Sequence, residues 1–290
     1  MKELSENIDL VSCAFDLTFI RCGSIEKQEA KGEEMSMKKE VMVDMTSGRI
    51  APQILRFAMP VLLGLVFQRI YNFADSYIVG HFLGDNALAA VSVAGVGMYL
   101  VFSLIIGLTT GVTVVMSQYY GAKEEDKVVK TFFSSIFIAL GMTILVTVIG
   151  LLMTRPLLIV LQTPAEVLDA AVLYLRIICA GSVGTMLYNW ISAVLRSLGN
   201  SVVPLIFLGI SSLLNIVFDI LFVAVIPMGV GGAAFATVLA QVISGVACLL
   251  YAWKILPMLR IRRDKLKLDT YIGKQMLVYG LPAASQALPL

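Results

Sequence analysis

Six long apolar segments separate this sequence of 290 residues from any ordinary soluble fold. A helix that crosses a bilayer needs about 20 mostly apolar residues. Charged residues make up only 14% of the chain, against about 25% in a typical soluble domain. Buried helices of a soluble protein would show polar faces that these segments lack. The predicted spans cover roughly residues 54–80, 88–119, 131–154, 166–189, 202–226 and 232–253, with a seventh beginning near Ile272. We therefore predict an all-α polytopic membrane protein with a six-helix transmembrane bundle.

The distribution of Lys and Arg predicts how the spans are oriented. Short loops rich in Lys and Arg stay on the cytoplasmic side of a membrane. Lys123, Lys127 and Lys130 follow the second span, and residues 254–274 after the sixth span are strongly basic. The loops on the opposite side contain a single Lys or Arg, Arg155. The N-terminus is therefore predicted to be cytoplasmic, so that each odd-numbered span runs outward.

Two carboxylates lie deep within the predicted spans. Asp75 precedes the outer end of the first span, Asp219 precedes the outer end of the fifth, and Thr237 follows the start of the sixth. At a rise of 1.5 Å per residue, all three lie roughly 9–12 Å below the outer surface. Asn215 is four residues before Asp219 and Ser212 a turn earlier, so the three share one face of a helix. We expect these polar groups to form one cluster.

The chemistry of this cluster allows two interpretations. Ionisable groups inside a membrane are costly and usually functional. Carboxylate, amide and hydroxyl oxygens suit Na⁺, which is the one candidate metal, or a proton shared between the two acids. Alternatively, Asp219 only cross-links helices through hydrogen bonds.

Other ionisable residues in the spans favour structural roles. Arg69 and Arg176 are interpreted as counter-ions or as side chains that extend to the interface. Arg69 is six residues from Asp75, which places the two on different faces of an ideal helix. His81, at the outer boundary, is interpreted as a surface residue.

Several function classes are excluded by what the sequence lacks. It shows no nucleophile–base pair, Cys/His metal cluster or nucleotide motif, so we predict neither an enzyme nor a bound cofactor. The net charge of +2 is too small to indicate a nucleic-acid partner. The four cysteines show no paired spacing and are interpreted as small apolar residues.

An internal repeat links the first span with the end of the chain. The stretch "ILRFAMPVLLGLVFQ" at 54–68 corresponds to "MLVYGLPAASQALPL" at 276–290, and Pro60 aligns with Pro282. Six spans lie between them, and an even number brings the second copy back to the same side of the membrane. This arrangement is typical of transporters built from parallel repeats.

Several motifs together carry a family resemblance over about residues 42–290. They are "MPVLLG", "ADSYIVGHFLGDNALAAVSVA", "GLTTGVTVVMSQYYGAK", "TPAEVLDAAVLYLRI", "AVLRSLGNSVVPL", "LLNIVFDILFV" and "GVGGAAFATVLAQ". With them the chain resembles the N-terminal lobe of a multidrug and toxic compound extrusion (MATE) transporter, plus the start of the second lobe. The superfamily also contains polysaccharide-lipid flippases.

The resemblance implies two six-helix lobes around a central cavity and alternating access. It implies an antiporter that exports amphipathic, often cationic compounds against inward flow of Na⁺ or H⁺. The coupling-cation site then comprises Asp75, Asn215, Asp219 and Thr237, and Pro60 is the expected hinge. The expected location is the bacterial inner membrane. The expected partners are the lipid bilayer, a small organic substrate and the missing C-terminal lobe.

This interpretation divides the chain into four parts. They are a polar cytoplasmic tail (1–48), the six-span lobe (49–256), a basic cytoplasmic linker (257–271) and the truncated first helix of the second lobe (272–290). Met35 and Met37 are natural starts, which makes residues 1–36 a candidate over-extension. Three alternatives stay open: a lipid-linked oligosaccharide flippase, a non-functional truncated half-transporter, and a half-transporter that dimerises. The partial seventh span argues against the third.

Overall fold

The structure, a computed structural model, describes residues 50–256 and 269–286, and within these ranges every regular element is helical. The predicted N-terminal tail, most of the predicted basic linker and residues 287–290 lie outside them. The helices are α1 (Ile50–Leu83), α2 (Asp85–Gly121), α3 (Glu125–Val160), α4 (Ala165–Ala180), α5 (Ser182–Ser197), α6 (Val202–Asp219), α7 (Gly229–Ile255) and α8 (Thr270–Gln286). A π-helical segment, Ile220–Val225, continues α6 directly.

The predicted all-α membrane architecture is confirmed, with one difference in the fourth span. Five helices in the described part are long and apolar enough to cross a membrane, and α4 with α5 forms a sixth span bent by 50°. The sequence predicted one continuous helix over 166–189, but the helix breaks at Gly181. A side chain at Gly181 would collide with Val238 of α7. The missing side chain therefore lets the bent span press against α7.

Small residues allow helices α4 to α7 to pack closely, and we call these four helices the frame of the bundle. Helix α7 buries Ala233, Ala234, Ala236 and Ala240 and packs on α4, α5 and α6. Small side chains allow helix backbones to approach closely, which is how helices associate in membranes without a hydrophobic driving force. Helix α7 is consequently the central helix of the bundle, against which α4, α5 and α6 pack.

Helix α1 is attached to this frame mainly along one side. It packs against α6 and, more lightly, against α2 and α7. Many of its large apolar side chains, including Leu62, Phe67, Phe73 and Tyr77, are exposed. In a membrane such a face contacts lipid or another helical bundle. The attached side is the one that carries Asp75, which is buried.

Helix α8 packs against α2 through glycines. Gly107 and Gly111 of α2 lie against the backbone of α8 at Met276 and Gly280. Tyr119 donates a hydrogen bond of 3.0 Å to Gln275 Oε1 across the same interface. The first turn of α8 is capped by Asp269, whose carboxylate accepts from the backbone N–H groups of residues 271 and 272.

We predict that Gly111→Ala destabilises the protein although alanine is the better helix former. Alanine in place of glycine in a helix usually stabilises by roughly 1 kcal/mol. At position 111 the new methyl group would meet the backbone carbonyl of Met276, and overpacking costs about 1–3 kcal/mol. Gly141 is exposed and has open space, so Gly141→Ala is the matched control. In thermal unfolding measured in detergent, Gly111→Ala should have a lower midpoint than Gly141→Ala. Equal midpoints for the two variants would contradict the close α2–α8 contact.

Candidate cation site

The four residues predicted to bind the coupling cation come together in the structure. Asp75 lies on α1, Asn215 and Asp219 lie on α6, and Thr237 lies on α7. All four are buried, and Asp219 has no exposed surface. Each of three helices thus contributes a polar group that has been withdrawn from solvent. Their role as a cation site stays a prediction.

The Asn215 side chain bridges α6 and α7. Its Nδ2 donates to Asp219 Oδ2 at 2.9 Å, and its Oδ1 accepts from the Thr237 hydroxyl at 3.1 Å. This orientation satisfies both ends of the amide, since the carboxylate oxygen accepts and the threonine hydroxyl donates. The amide therefore occupies one oxygen of Asp219 and ties it to α7.

The carboxyl groups of Asp75 and Asp219 lie within hydrogen-bonding reach of each other. Two ionised carboxylates at this separation repel, particularly where water is excluded. Oδ1 of each has no hydrogen-bond partner among the described residues. The pair therefore needs a shared proton or a bound cation to be stable as placed.

Two tyrosines that the sequence analysis did not identify complete the cluster. Tyr71 and Tyr174 lie beside Thr237 and close to both carboxyl groups. Tyr71 precedes Asp75 by four residues, and this spacing alone places both on one helix face. Tyr174, on α4, has no comparable sequence signal.

The π-helical segment begins immediately after Asp219. Such segments are rare and occur frequently at functional sites. On α7, a side chain at Gly232 would approach the Phe222 carbonyl oxygen to 2.9 Å. The glycine therefore allows the widened turn to lie against α7 beside the buried carboxyl pair.

A cavity of about 280 Å³ opens next to the carboxyl pair. Its lining includes Asp75 and Thr237 together with the aromatic rings of Tyr71, Tyr99 and Phe102. None of the described residues that line it is basic. The cavity combines one carboxylate with apolar and aromatic walls, a composition suited to an amphipathic cation.

The remaining predicted residues lie away from this cavity. Arg69, Arg176 and His81 are exposed, and none of the three lines the cavity. Arg69 thus occupies a different face of α1 from Asp75, as the helical spacing predicted. Pro60 lies within α1, which is helical on both sides of it, and its role as a hinge stays a prediction. Ser212 donates to the Leu208 carbonyl within α6.

Comparison with known proteins shows which family this chain belongs to. A family model described as MatE matches residues 60–221. The probable multidrug resistance protein YpnP of Bacillus subtilis is 35% identical over 245 residues, which cover 81% of this chain and 55% of YpnP. The chain belongs to the MatE family. MatE proteins are membrane transporters, and this chain is accordingly an integral membrane protein of a transporter family and not of an enzyme family.

Solved structures support the same assignment. A MOP superfamily transporter from Pyrococcus furiosus, described as having a binding pocket of reverse polarity, is 26% identical with a TM-score of 0.77 over 84% of this chain and 54% of its own. An outward-facing multidrug resistance MATE family transporter is 26% identical with a TM-score of 0.75, over 81% and 52%. The chain spans about half the length of the MatE relatives it matches.

We predict that the carboxyl pair makes the stability of the chain depend on pH. Because the two carboxyl groups are in contact, the folded state retains a proton between them, whereas the aspartates of an unfolded chain are already ionised at neutral pH. Stability in Na⁺-free buffer should therefore fall as pH rises above neutral, by up to about 1.4 kcal/mol per pH unit for each such proton.

Asp219→Asn should abolish this slope, because an amide replaces one of the two acids. Asp85→Asn, at an exposed position in the first turn of α2, should retain it. Thermal unfolding in detergent measures both. A slope that persists in Asp219→Asn would show that the two acids are not coupled.

Proposed function

We propose that this MatE chain is a lobe of a cation-coupled antiporter that exports amphipathic, often cationic organic compounds by alternating access. The observation that carries the proposal is the buried Asp75–Asp219 pair at the wall of the aromatic cavity. One carboxyl group belongs to both places, since Asp75 contacts Asp219 and lines the cavity.

This shared carboxyl group provides a mechanism of coupling. When H⁺ or Na⁺ occupies the pair, Asp75 is neutralised and attracts a cationic substrate less strongly. When the ion leaves, the charge on Asp75 favours the substrate and opposes the contact with Asp219. Ion and substrate then stabilise different states of the site, and such differential affinity is what coupling requires.

Helix α1 is the element that would move between these states. It is held by α6 on one side, and its contact with the pair is made through Asp75. Loss of the proton or cation weakens that contact. Pro60 lies 15 residues before Asp75 and removes a backbone hydrogen-bond donor from the helix, which makes it the natural point for α1 to bend.

We place the chain in the bacterial inner membrane with its N-terminus in the cytoplasm. Basic residues at the α2–α3 connection support this orientation. Among the described residues near the opposite ends of the spans, Arg155 is the single Lys or Arg, and it pairs with Asp169 at 3.0 Å.

The substrate class follows from the cavity and from the relatives. YpnP is named as a probable multidrug resistance protein, and the cavity here offers aromatic rings and a carboxylate. A flippase for lipid-linked oligosaccharides would need basic side chains to hold phosphates, and the described lining contains none. We infer that the working transporter also contains a second six-helix lobe, which would cover the exposed apolar side of α1.

We predict that Asp219→Asn lowers ion-dependent dye efflux at least tenfold, which corresponds to about 1.4 kcal/mol of lost coupling. The measurement is ethidium efflux from cells expressing the complete reading frame, with pH and Na⁺ varied separately. Asp85→Asn is the control for the loss of an acidic residue. Efflux by Asp219→Asn that keeps its rate and ion dependence would refute the proposed site.

A further inference from the structure

Three adjoining cavities run along α1 from the carboxyl pair toward the end of the bundle where α1 begins. The outer cavity of about 280 Å³ is followed by a middle one of about 60 Å³ and an inner one of about 140 Å³. Gln68 and Asn189 line all three cavities. Thr237 lines the outer and middle ones, and Leu208 lines the middle and inner ones. The three cavities therefore adjoin one another along α1, and we call this row of cavities the passage.

The walls of this passage carry polar groups that can hold water. Asn189 donates to the Thr185 carbonyl at 2.8 Å, and the Thr185 hydroxyl donates to Gln241 Oε1. Tyr188 donates to the Pro204 carbonyl at 2.9 Å beside the inner cavity. Polar, roomy cavities inside proteins are normally hydrated. Water could thus reach from the inner end of α1 to the carboxyl pair.

Arg196 stands at the inner end of the passage. It lies in the last turn of α5 and lines the inner cavity, where it is the only charged residue among those described. Its guanidinium lies near the Tyr188 hydroxyl and the Cys248 thiol. None of the described carboxylates forms an ion pair with it. Its positive charge is therefore not neutralised and is directed into the cavity.

We propose that Arg196 is an electrostatic barrier that, in the arrangement of helices seen here, lets water, but not the coupling cation, pass between the carboxyl pair and the cytoplasm. Release of the cation to the cytoplasm then requires the other arrangement of alternating access. The proposal rests on the proposed function, in which Asp75 and Asp219 bind H⁺ or Na⁺. An open polar passage from that site would let the cation flow inward without export of substrate. A fixed positive charge in a narrow pore excludes cations and protons while water passes.

A purely topological role for Arg196 makes a different prediction. Arg and Lys near the cytoplasmic ends of spans fix orientation and extend to the interface. In that case any polar residue at position 196 would leave passive ion flux unchanged once the protein is inserted. The two roles are therefore separated by ion leak in the absence of substrate.

The first test measures passive cation flux in proteoliposomes without drug. We expect Arg196→Gln to raise ²²Na⁺ uptake or proton leak about tenfold over the unmutated protein, and Arg196→Lys, which keeps the charge, to remain tight. Arg176→Gln, at an exposed position on α4, controls for the loss of a basic residue. Size-exclusion profiles establish that each variant is folded. Equal leak in Arg196→Gln and the unmutated protein would overturn the barrier.

The second test measures the charge preference of the passage by cysteine labelling. Leu208→Cys, in a background whose four natural cysteines are replaced, places a thiol where the middle and inner cavities meet. From the cytoplasmic side, a negatively charged methanethiosulfonate should react faster than a positively charged one. Adding Arg196→Gln should reduce this ratio about tenfold. A ratio unaffected by Arg196→Gln, or no labelling by either reagent, would contradict the proposal.

The outcomes of these tests can be distinguished from a failure of the proposed function. Leak and labelling require no drug and no exchange cycle. If dye efflux proves independent of H⁺ and Na⁺ while Arg196→Gln leaks, the barrier stands and the antiport mechanism is wrong. If efflux is ion-dependent while Arg196→Gln is tight, the antiport mechanism stands and the barrier is wrong.

Discussion

The contact between the Asp75 and Asp219 carboxyl groups is the interaction on which the rest of the structure depends. It joins α1 to α6 at a point where both acids are buried and only Asp75 borders a cavity. Two buried acids in contact are stable only with a proton or cation between them. Asn215 then ties the same point to Thr237 on α7. The occupancy of one small site is thereby coupled to the positions of three helices.

The packing divides the bundle into a tightly packed frame and a more loosely attached helix. Helices α4 to α7 approach closely because Gly181, Gly184 and the buried alanines of α7 remove side-chain bulk. Helix α1 instead presents large apolar side chains outward and contacts the frame along one side. When the proton or cation at the carboxyl pair is lost, α1 can therefore move at a lower cost in packing energy than the helices of the frame. This asymmetry is consistent with the proposed movement of α1.

Much of the candidate site could be predicted from the sequence because its signals are periodic or energetic. The four-residue spacing of Asn215 and Asp219 and the common depth of Asp75, Asp219 and Thr237 follow from helix geometry. Tyr174 could not be predicted, because it reaches the site only through the packing of α4. The break at Gly181 and the π-helical segment were also missed, since both depend on close contact with α7 and leave the hydrophobic pattern unchanged.

The hydrogen bonds of Asn215 explain why the same residues suit either H⁺ or Na⁺. Nδ2 donates to Asp219 Oδ2 while Oδ1 accepts from Thr237, so one oxygen of Asp219 already has a donor. Oδ1 of Asp219 and Oδ1 of Asp75 have no hydrogen-bond partner among the described residues. A proton between the two acids or a Na⁺ beside them would satisfy these oxygens, because each supplies the positive charge that two carboxylates in contact lack. The site as placed therefore requires a positive charge and not a particular ion.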